Sequence, residues 1–275
     1  MKKPNTCTNL IKAINVIARG RDPVRLARAM ANVIIGQILP DGVVKGGSSL
    51  MFRYGENRTR YTRDIDTARV ADLDSYITRL GDALRTGWGG FTGVIIPVEP
   101  PSPEGIPCGY VMIPFDIKLS YCGRAWQTVR IEIGHNEIGD ADMAESALPP
   151  EMAEAFETLG FAKPKPLPVM KLSYQIAQKL HAVSSPGSDR AHDLIDLQLI
   201  MSRSTPDLRE AKSVCERLFN YRKQQAWPPS VQKGVDWESL YQAAFATIRD
   251  AESIAATVDD AISWVNDFIS KIAKA

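Results

Sequence analysis

Cysteine is scarce in this sequence and stands in no useful pattern. The four residues, Cys7, Cys108, Cys122 and Cys215, are far apart and form no Cys-x-x-Cys pair. That excludes zinc-ribbon spacing and a disulfide framework, and reads as reduced thiols in a cytoplasmic chain. An excess of one charge is missing too: 33 Lys and Arg oppose 32 Asp and Glu for a net charge of +1. No global polycation recruits nucleic acid, so any basic surface must be local. No apolar run approaches a membrane span. Lys12 and Arg19 interrupt the apolar stretch behind Lys2 and Lys3, which argues against a signal peptide. The histidines, His135, His181 and His192, show no metal spacing, and internal repeats and low-complexity tracts are lacking. What remains is 275 residues of ordinary globular composition, long enough for one large domain or two small ones.

Periodicity organises that length into an α+β chain. Residues 8–18 and 22–39 have helical spacing, with Leu26, Met30, Val33 and Ile34 on one stripe of the second and Arg21, Arg25 and Arg28 on another face. "SLMFRYG" suits one or two helical turns and "YTRDIDTARV" a strand, and "DLDSYITRLGDALRTG" is an amphipathic helix capped by Asp72 or Asp74 and stopped by Gly87. Three strands follow, in "FTGVIIPV", "CGYVMIPFDIKLSY" and "WQTVRIEIGH", the first two flanking the proline-rich "EPPSPEGIP". Beyond residue 141 the pattern predicts helices over 144–159, 169–183, 189–203 and 206–223, and one or two more over 236–273. "KPKPLP" at 163–168 is the expected hinge between the mixed and the helical halves.

The chemistry concentrates in "KGGSSLMFRYGENRTRYTRDID", residues 45–66. In a strand, residues i and i+2 share a face, so Asp64 and Asp66 project together while Ile65 turns to the core. Carboxylates that close repel each other unless a cation lies between them; a hard divalent metal such as Mg²⁺ does this, and Arg60 and Arg63 are the simpler alternative. Upstream, the backbone N–H groups of Gly46, Gly47 and Ser48 at a helix start can hold phosphate oxygens. No Gly-Lys-Ser/Thr closes the turn, so it is not a P-loop. A phosphate-holding turn feeding a metal-holding Asp-x-Asp is the layout of a nucleotidyltransferase. A third carboxylate belongs on a neighbouring strand. Glu132 in "TVRIEIG" is the cleaner candidate by alternation; Asp116 in "PFDIKL", paired with Lys118, competes with it.

The helical half carries a second constellation. Leu172, Ile176, Lys179 and Val183 follow i, i+4, i+7, i+11, which puts Lys179 on the apolar stripe. A lysine there snorkels to solvent or is held inward by a carboxylate or a phosphate. Arg190, Asp193 and Asp196 share one helical face, either as a surface salt-bridged helix or as the group that orients Lys179.

Both blocks resemble the AbiEii/MenT family of nucleotidyltransferase toxins. The first reads Gly46-Gly47-Ser48, then Arg60-Tyr61-Thr62-Arg63-Asp64-Ile65-Asp66; the second, "KLSYQIAQKLHAVSSPGSDRAHDLIDLQLI", is similar to the family's Ala-x-Lys-Leu helix, polar loop and basic-Asp-Leu-x-Asp-Leu helix. The match covers about residues 43–70 and 168–201. The gap from Ser48 to Asp64 is longer than the family's compact form, which leaves Ser48 or Ser49 as the phosphate contact. His192 stands where the family usually has a basic residue, with Arg190 two positions earlier.

The resemblance implies a polymerase-β-like mixed-sheet domain over 1–160 and a helical domain over 161–275 that contributes to the active-site cleft. It implies Mg²⁺ or Mn²⁺ on Asp64, Asp66 and Glu132, and an NTP on Gly47, Ser48 and Ser49. Lys179 would neutralise phosphate charge and Asp193 would orient it. The implied reaction moves a nucleotide, pyrimidine in some members, to the 3′ end of tRNA and blocks translation, in a phage-defence or toxin–antitoxin system whose antitoxin is encoded nearby. A protein or small-molecule acceptor, or a catalytically silent nucleotide-binding regulator, are the alternatives. Acceptor RNA needs a basic approach surface, for which Arg21, Arg25, Arg28, the arginines at 53–63, and Lys163, Lys165 and Lys171 are the candidates.

Overall fold

The computed structural model describes residues 1–101 and 111–275, which form two compact units. The first comprises Met1–Glu56 and Thr62–Val169, the second Asn57–Tyr61 and Met170–Ala275. Cys108 and most of the proline-rich "EPPSPEGIP" lie outside the described residues.

In the first unit, the apolar stripes at the start of the chain become α1 (Cys7–Ala18) and α2 (Pro23–Ile38). Asp22 caps α2 by accepting from the Val24 N–H, and Pro23 supplies the first helical φ. Then come β1 (Gly42–Lys45), α3 (Gly46–Tyr54), β2 (Ile65–Arg69) and α4 (Leu73–Thr86), the last capped by Asp72 and ended at Gly87. A meander of β3 (Phe91–Pro97), β4 (Ile113–Tyr121) and β5 (Arg124–Gly134) follows. The unit closes with β6 (Ala144–Ala147), α5 (Pro150–Thr158) and β7 (Leu167–Met170), whose last residue opens the second unit. The predicted helix over 144–159 is therefore corrected to a strand and a shorter helix. Pro149 and Pro150 explain the break, because a residue that precedes proline is driven to extended backbone while a proline starts a helix well.

Among the described residues the sheet order is β3-β4-β5-β2-β1-β7-β6. It is mixed: β2 with β5 and β1 with β7 run parallel, while β1 with β2, β3 with β4 and β4 with β5 run antiparallel. Helices α1 and α2 pack on each other and on β5, and α4 packs on β3. The core behind them is one continuous apolar cluster, with Leu10, Leu26, Met30, Ile65, Ile117, Val129 and Ile131 at its heart.

The second unit is α6 (Leu172–Ser184), α7 (His192–Arg203), α8 (Leu208–Arg222), α9 (Trp237–Phe245) and α10 (Val258–Lys274). Helix α7 packs on α6, α9 and α10, and α8 packs on α6 and α10. Leu180, Leu194, Ile200, Phe219, Trp237 and Val265 are fully or nearly fully buried there. Arg190 precedes α7 instead of lying within it. The short stretch Asn57–Tyr61 is part of this unit, held by Arg60 on Asp196 and by the Tyr61 N–H on Thr247 Oγ1 at 2.9 Å. No helix among the described residues is long and apolar enough to cross a membrane.

Candidate active site

Strand register lines up three charged side chains in the first unit. Asp66 faces Lys45 across the antiparallel β1–β2 pair and Glu132 across the parallel β2–β5 pair. Alternation brings Asp64, one residue ahead of β2, to the same face. Ile65 points the other way into the core and is fully buried. The face continues along β5 and β4 through Arg130 and Asp116, which are register partners. Arg130 Nε donates to Asp116 Oδ1 at 2.7 Å. This corrects the expected Asp116–Lys118 pairing: residues i and i+2 are about 7 Å apart along a strand, farther than a directly opposed cross-strand partner. Asp116 is thus one strand farther from Asp66 than Glu132 and already engaged.

Helix α3 starts beside this row. Gly46 has φ +62, and a Cβ there would collide with the Asp66 carboxylate. Ser48 and Ser49 are fully buried, and Ser48 Oγ donates to the Asp64 carbonyl at 2.6 Å. Ser48 thus ties the helix start to the start of β2. The N-cap residue, Lys45, makes no side-chain cap; the start of a helix is an element that can hold an anion through its first-turn amides and its dipole. Gly46→Ala is expected to cost about 1–2 kcal/mol for the left-handed backbone alone, more for the clash, and to abolish transfer by displacing Asp66. Denaturant midpoints and a transfer assay check it.

Sequence reasoning missed Lys45. Its residue is only 8% exposed, yet it forms no ion pair among the described residues. Its ammonium lies over Gly134 on β5, where an added Cβ would come within 3.1 Å of Nζ. Small residues at Ala68 and Gly134, register partners on β2 and β5, make room for that reach. The signal was present: a lysine directly before Gly46-Gly47, closing a short apolar strand.

The carboxylates repel, as the spacing requires. Burial pushes the Asp64 carboxyl up from its ordinary value and Asp66 pushes it further, while Arg130, Arg28 and Arg63 pull it back. Among the described residues no group of three or more His, Cys, Asp and Glu is placed to hold a metal ion. The dyad offers oxygen ligands whose repulsion the three arginines only partly offset, a donor set that suits a hard divalent cation such as Mg²⁺.

The second unit gathers the other predicted residues. Lys179 is 4% exposed, and its Nζ donates to Asp193 Oδ1 at 2.7 Å and to Asp196 Oδ2 at 2.5 Å. Arg60 clamps Asp196 with two bonds, Nε to Oδ1 at 3.0 Å and Nη2 to Oδ2 at 2.9 Å. Arg190 Nε donates to Asp193 Oδ2 at 2.9 Å. Both aspartates are buried, so the surface salt-bridge reading of this helix face does not hold. Nor does Arg60 serve the Asp64–Asp66 pair as the simpler alternative had it; its carboxylate is Asp196. Burial pulls the Asp193 carboxyl up, but Arg190, Lys179 and Arg60 overcome it and hold it well below the usual range. Burial pushes His192 down to about 4, so it carries no charge at neutral pH, and Arg190 supplies the cation beside Asp193.

A comparison with protein families matches residues 28–264 to "Nucleotidyl transferase AbiEii toxin, Type IV TA system". A search of curated proteins returned no match. Among solved structures, the nucleotidyltransferase toxin MenT4 of Mycobacterium tuberculosis is 17% identical, with 95% of this chain and 98% of that one covered and a TM-score of 0.52. JHP933 of Helicobacter pylori is also 17% identical, covering 90% of each chain with a TM-score of 0.46. A match over most of the chain makes this a nucleotidyltransferase. The chain belongs to the AbiEii nucleotidyltransferase toxin family.

Proposed function

We propose that this nucleotidyltransferase moves a nucleotide, a pyrimidine NMP, from an NTP to the 3′ end of tRNA and so stops translation, under the control of an antitoxin encoded nearby. The observation that carries the reading is the row Lys45–Asp66–Glu132 with Asp64 beside it, laid against the amide-lined start of α3. A terminal ribose hydroxyl forms the new P–O bond at the α-phosphorus, loses its proton, and pyrophosphate leaves. Asp64 and Asp66 would hold Mg²⁺ or Mn²⁺, which would supply Lewis-acid stabilisation of the phosphoryl charge when bound, with Glu132 in register beside Asp66 as the third carboxylate of the row. The Gly46–Gly47–Ser48 backbone cradles the triphosphate, with Ser48 holding that turn to Asp64. Lys45 brings positive charge to the same face, and a phosphate is the counter-charge that a buried, unpaired lysine lacks. Lys179 has both its neighbouring carboxylates as partners, so its part is to set Asp193 and Asp196 in place, with Asp193 orienting it in turn. Catalysis is then chiefly positioning and electrostatics.

The test incubates the protein, Mg²⁺ and total tRNA with each α-labelled NTP in turn. Label on tRNA from CTP or UTP, lost on chelation, is the expected result. Label on protein or on a small molecule would move the acceptor, and nucleotide binding without any label would make the chain a regulator. In the same assay Glu132→Gln should lower transfer by about 10²-fold or more, as loss of one charge-stabilising group does. Asp116→Asn, which loosens only Arg130, should change it by less than about tenfold.

A further inference from the structure

The two carboxylates of the dyad have different cationic neighbours. On the Asp66 side stand Lys45 and the start of α3. On the Asp64 side stand three arginines from three separate elements: Arg130 of β5, which precedes Ile131, the parallel register partner of Ile65; Arg63, the chain neighbour of Asp64; and Arg28 of α2, which reaches β5 at Thr128. None of the three forms an ion pair with Asp64 among the described residues. Arg28 Nη1 donates to the Thr128 carbonyl at 2.5 Å, which fixes α2 to β5 beyond the stretch that pairs with β2. That bond leaves its charge uncancelled. Arg63 is exposed, and Arg130, though paired with Asp116, keeps 38% of its side chain accessible. Exposed Lys118 lies across from Thr128 on the same face.

The other basic candidates are spent or unconnected. Arg21 lies 3.7 Å from the Glu56 carboxylate and Arg25 donates to the Glu56 carbonyl. Arg53 is paired with Glu145 at 2.5 Å and Lys171 with Glu210 at 2.5 Å. Lys163 and Lys165 are exposed with nothing that links them to Asp64.

We propose that Arg28, Arg63 and Arg130 form the docking surface for the phosphodiester backbone of the acceptor RNA, on the Asp64 side of the carboxylate row. The Asp66 side, with Lys45 and the α3 turn, is left to the triphosphate. The proposal rests on the RNA acceptor proposed above. Nucleotidyl transfer brings two polyanions to one metal site, and each needs its own cations; guanidinium groups suit phosphate through paired donors. A patch of three or four cations takes only a few phosphates, so its contribution is positional, and it should be strongly salt-dependent.

The experiment measures tRNA binding by the full-length protein against KCl concentration for wild type, Arg28→Gln, Arg63→Gln, Arg130→Gln and the Arg28/Arg63 double variant. Arg85→Gln on α4, an exposed arginine paired with Asp82, controls for net charge. NTP affinity is measured on the same samples. The expected result is weaker tRNA binding with a salt slope smaller by about 1 for each arginine removed, with NTP affinity and the Arg85 control unchanged. Equal losses of NTP and tRNA affinity would assign the arginines to the triphosphate and overturn the proposal. So would an unchanged slope. A wild-type protein that binds NTP but no RNA would bring down the acceptor reading itself, a result distinct from wild-type binding indifferent to these arginines.

Discussion

Asp64→Asn and Asp66→Asn should each lower nucleotidyl transfer by at least about 10³-fold, because a metal's stabilisation of phosphoryl charge is worth several kcal/mol and each 1.4 kcal/mol is tenfold. Both variants should stay folded. Asp64 is held above its ordinary carboxyl value by burial and then by Asp66. A carboxyl whose folded value is raised contributes stability below its unfolded value, near 4, and loses it as pH rises through the folded one. At neutral pH without metal the Asp64 charge is therefore a cost, and Asp64→Asn should melt at or above the wild-type temperature in chelator. Mg²⁺ should raise the wild-type melting temperature and leave that of either variant unmoved, since a ligand stabilises only the state that binds it. Transfer activity that survives in either variant would remove the dyad from the reaction. A variant that melts well below wild type would show the carboxylates to be structural.

Lys179→Met should destabilise the helical unit by about 3–5 kcal/mol, the usual result of stripping one partner from a buried ionic group. It leaves Asp193 and Asp196, both buried, with Arg60 and Arg190 alone to balance them. The melting temperature should fall by roughly 10 °C or more. Intrinsic fluorescence of Trp227, Trp237 and Trp264 under urea reads it, and the double variant Lys179→Met/Asp193→Asn should recover part of the loss, because the two residues are one network. The pH dependence runs opposite to that of Asp64. For Asp193, burial raises the carboxyl but the cations win and hold it low, and Asp196 is likewise lowered despite its burial. Such groups contribute stability above their unfolded values and lose it as pH falls through the folded ones. Acid should therefore weaken the helical unit in wild type, and less so in the double variant. A Lys179→Met protein as stable as wild type would place the lysine in catalysis alone.

Much of this was legible in the chain itself. The i, i+2 spacing of Asp64 and Asp66 around a buried Ile65, and the alternation of Val129, Ile131 and Ile133 around Glu132, needed only the strand period. Lys179 on an apolar stripe was readable as either a snorkelling or an inward lysine, and burial by Asp193 and Asp196 decides for the second. What periodicity could not supply was register: nothing local says that Asp66 faces Lys45 on one side and Glu132 on the other. That is why a buried lysine went unnoticed. Ion-pair partners were equally hidden, because Arg60 and Asp196 meet over a long stretch of intervening chain and the nearest carboxylates in sequence were the wrong ones. The break at Pro149-Pro150 was readable from the prolines but was masked by the helical periodicity on either side.

The excursion of Asn57–Tyr61 into the helical unit bears on how such a gene can recombine. A single crossover anywhere between Tyr61 and Asp196 would inherit Arg60 from one parent and its carboxylate from the other. Chimeras of distant relatives would then unite an arginine and an aspartate tuned to different neighbours. Exchanging the helical unit as a module requires three junctions, two around residues 57–61 and one near Val169. Divergence within this architecture should proceed more readily by paired point changes than by shuffling halves.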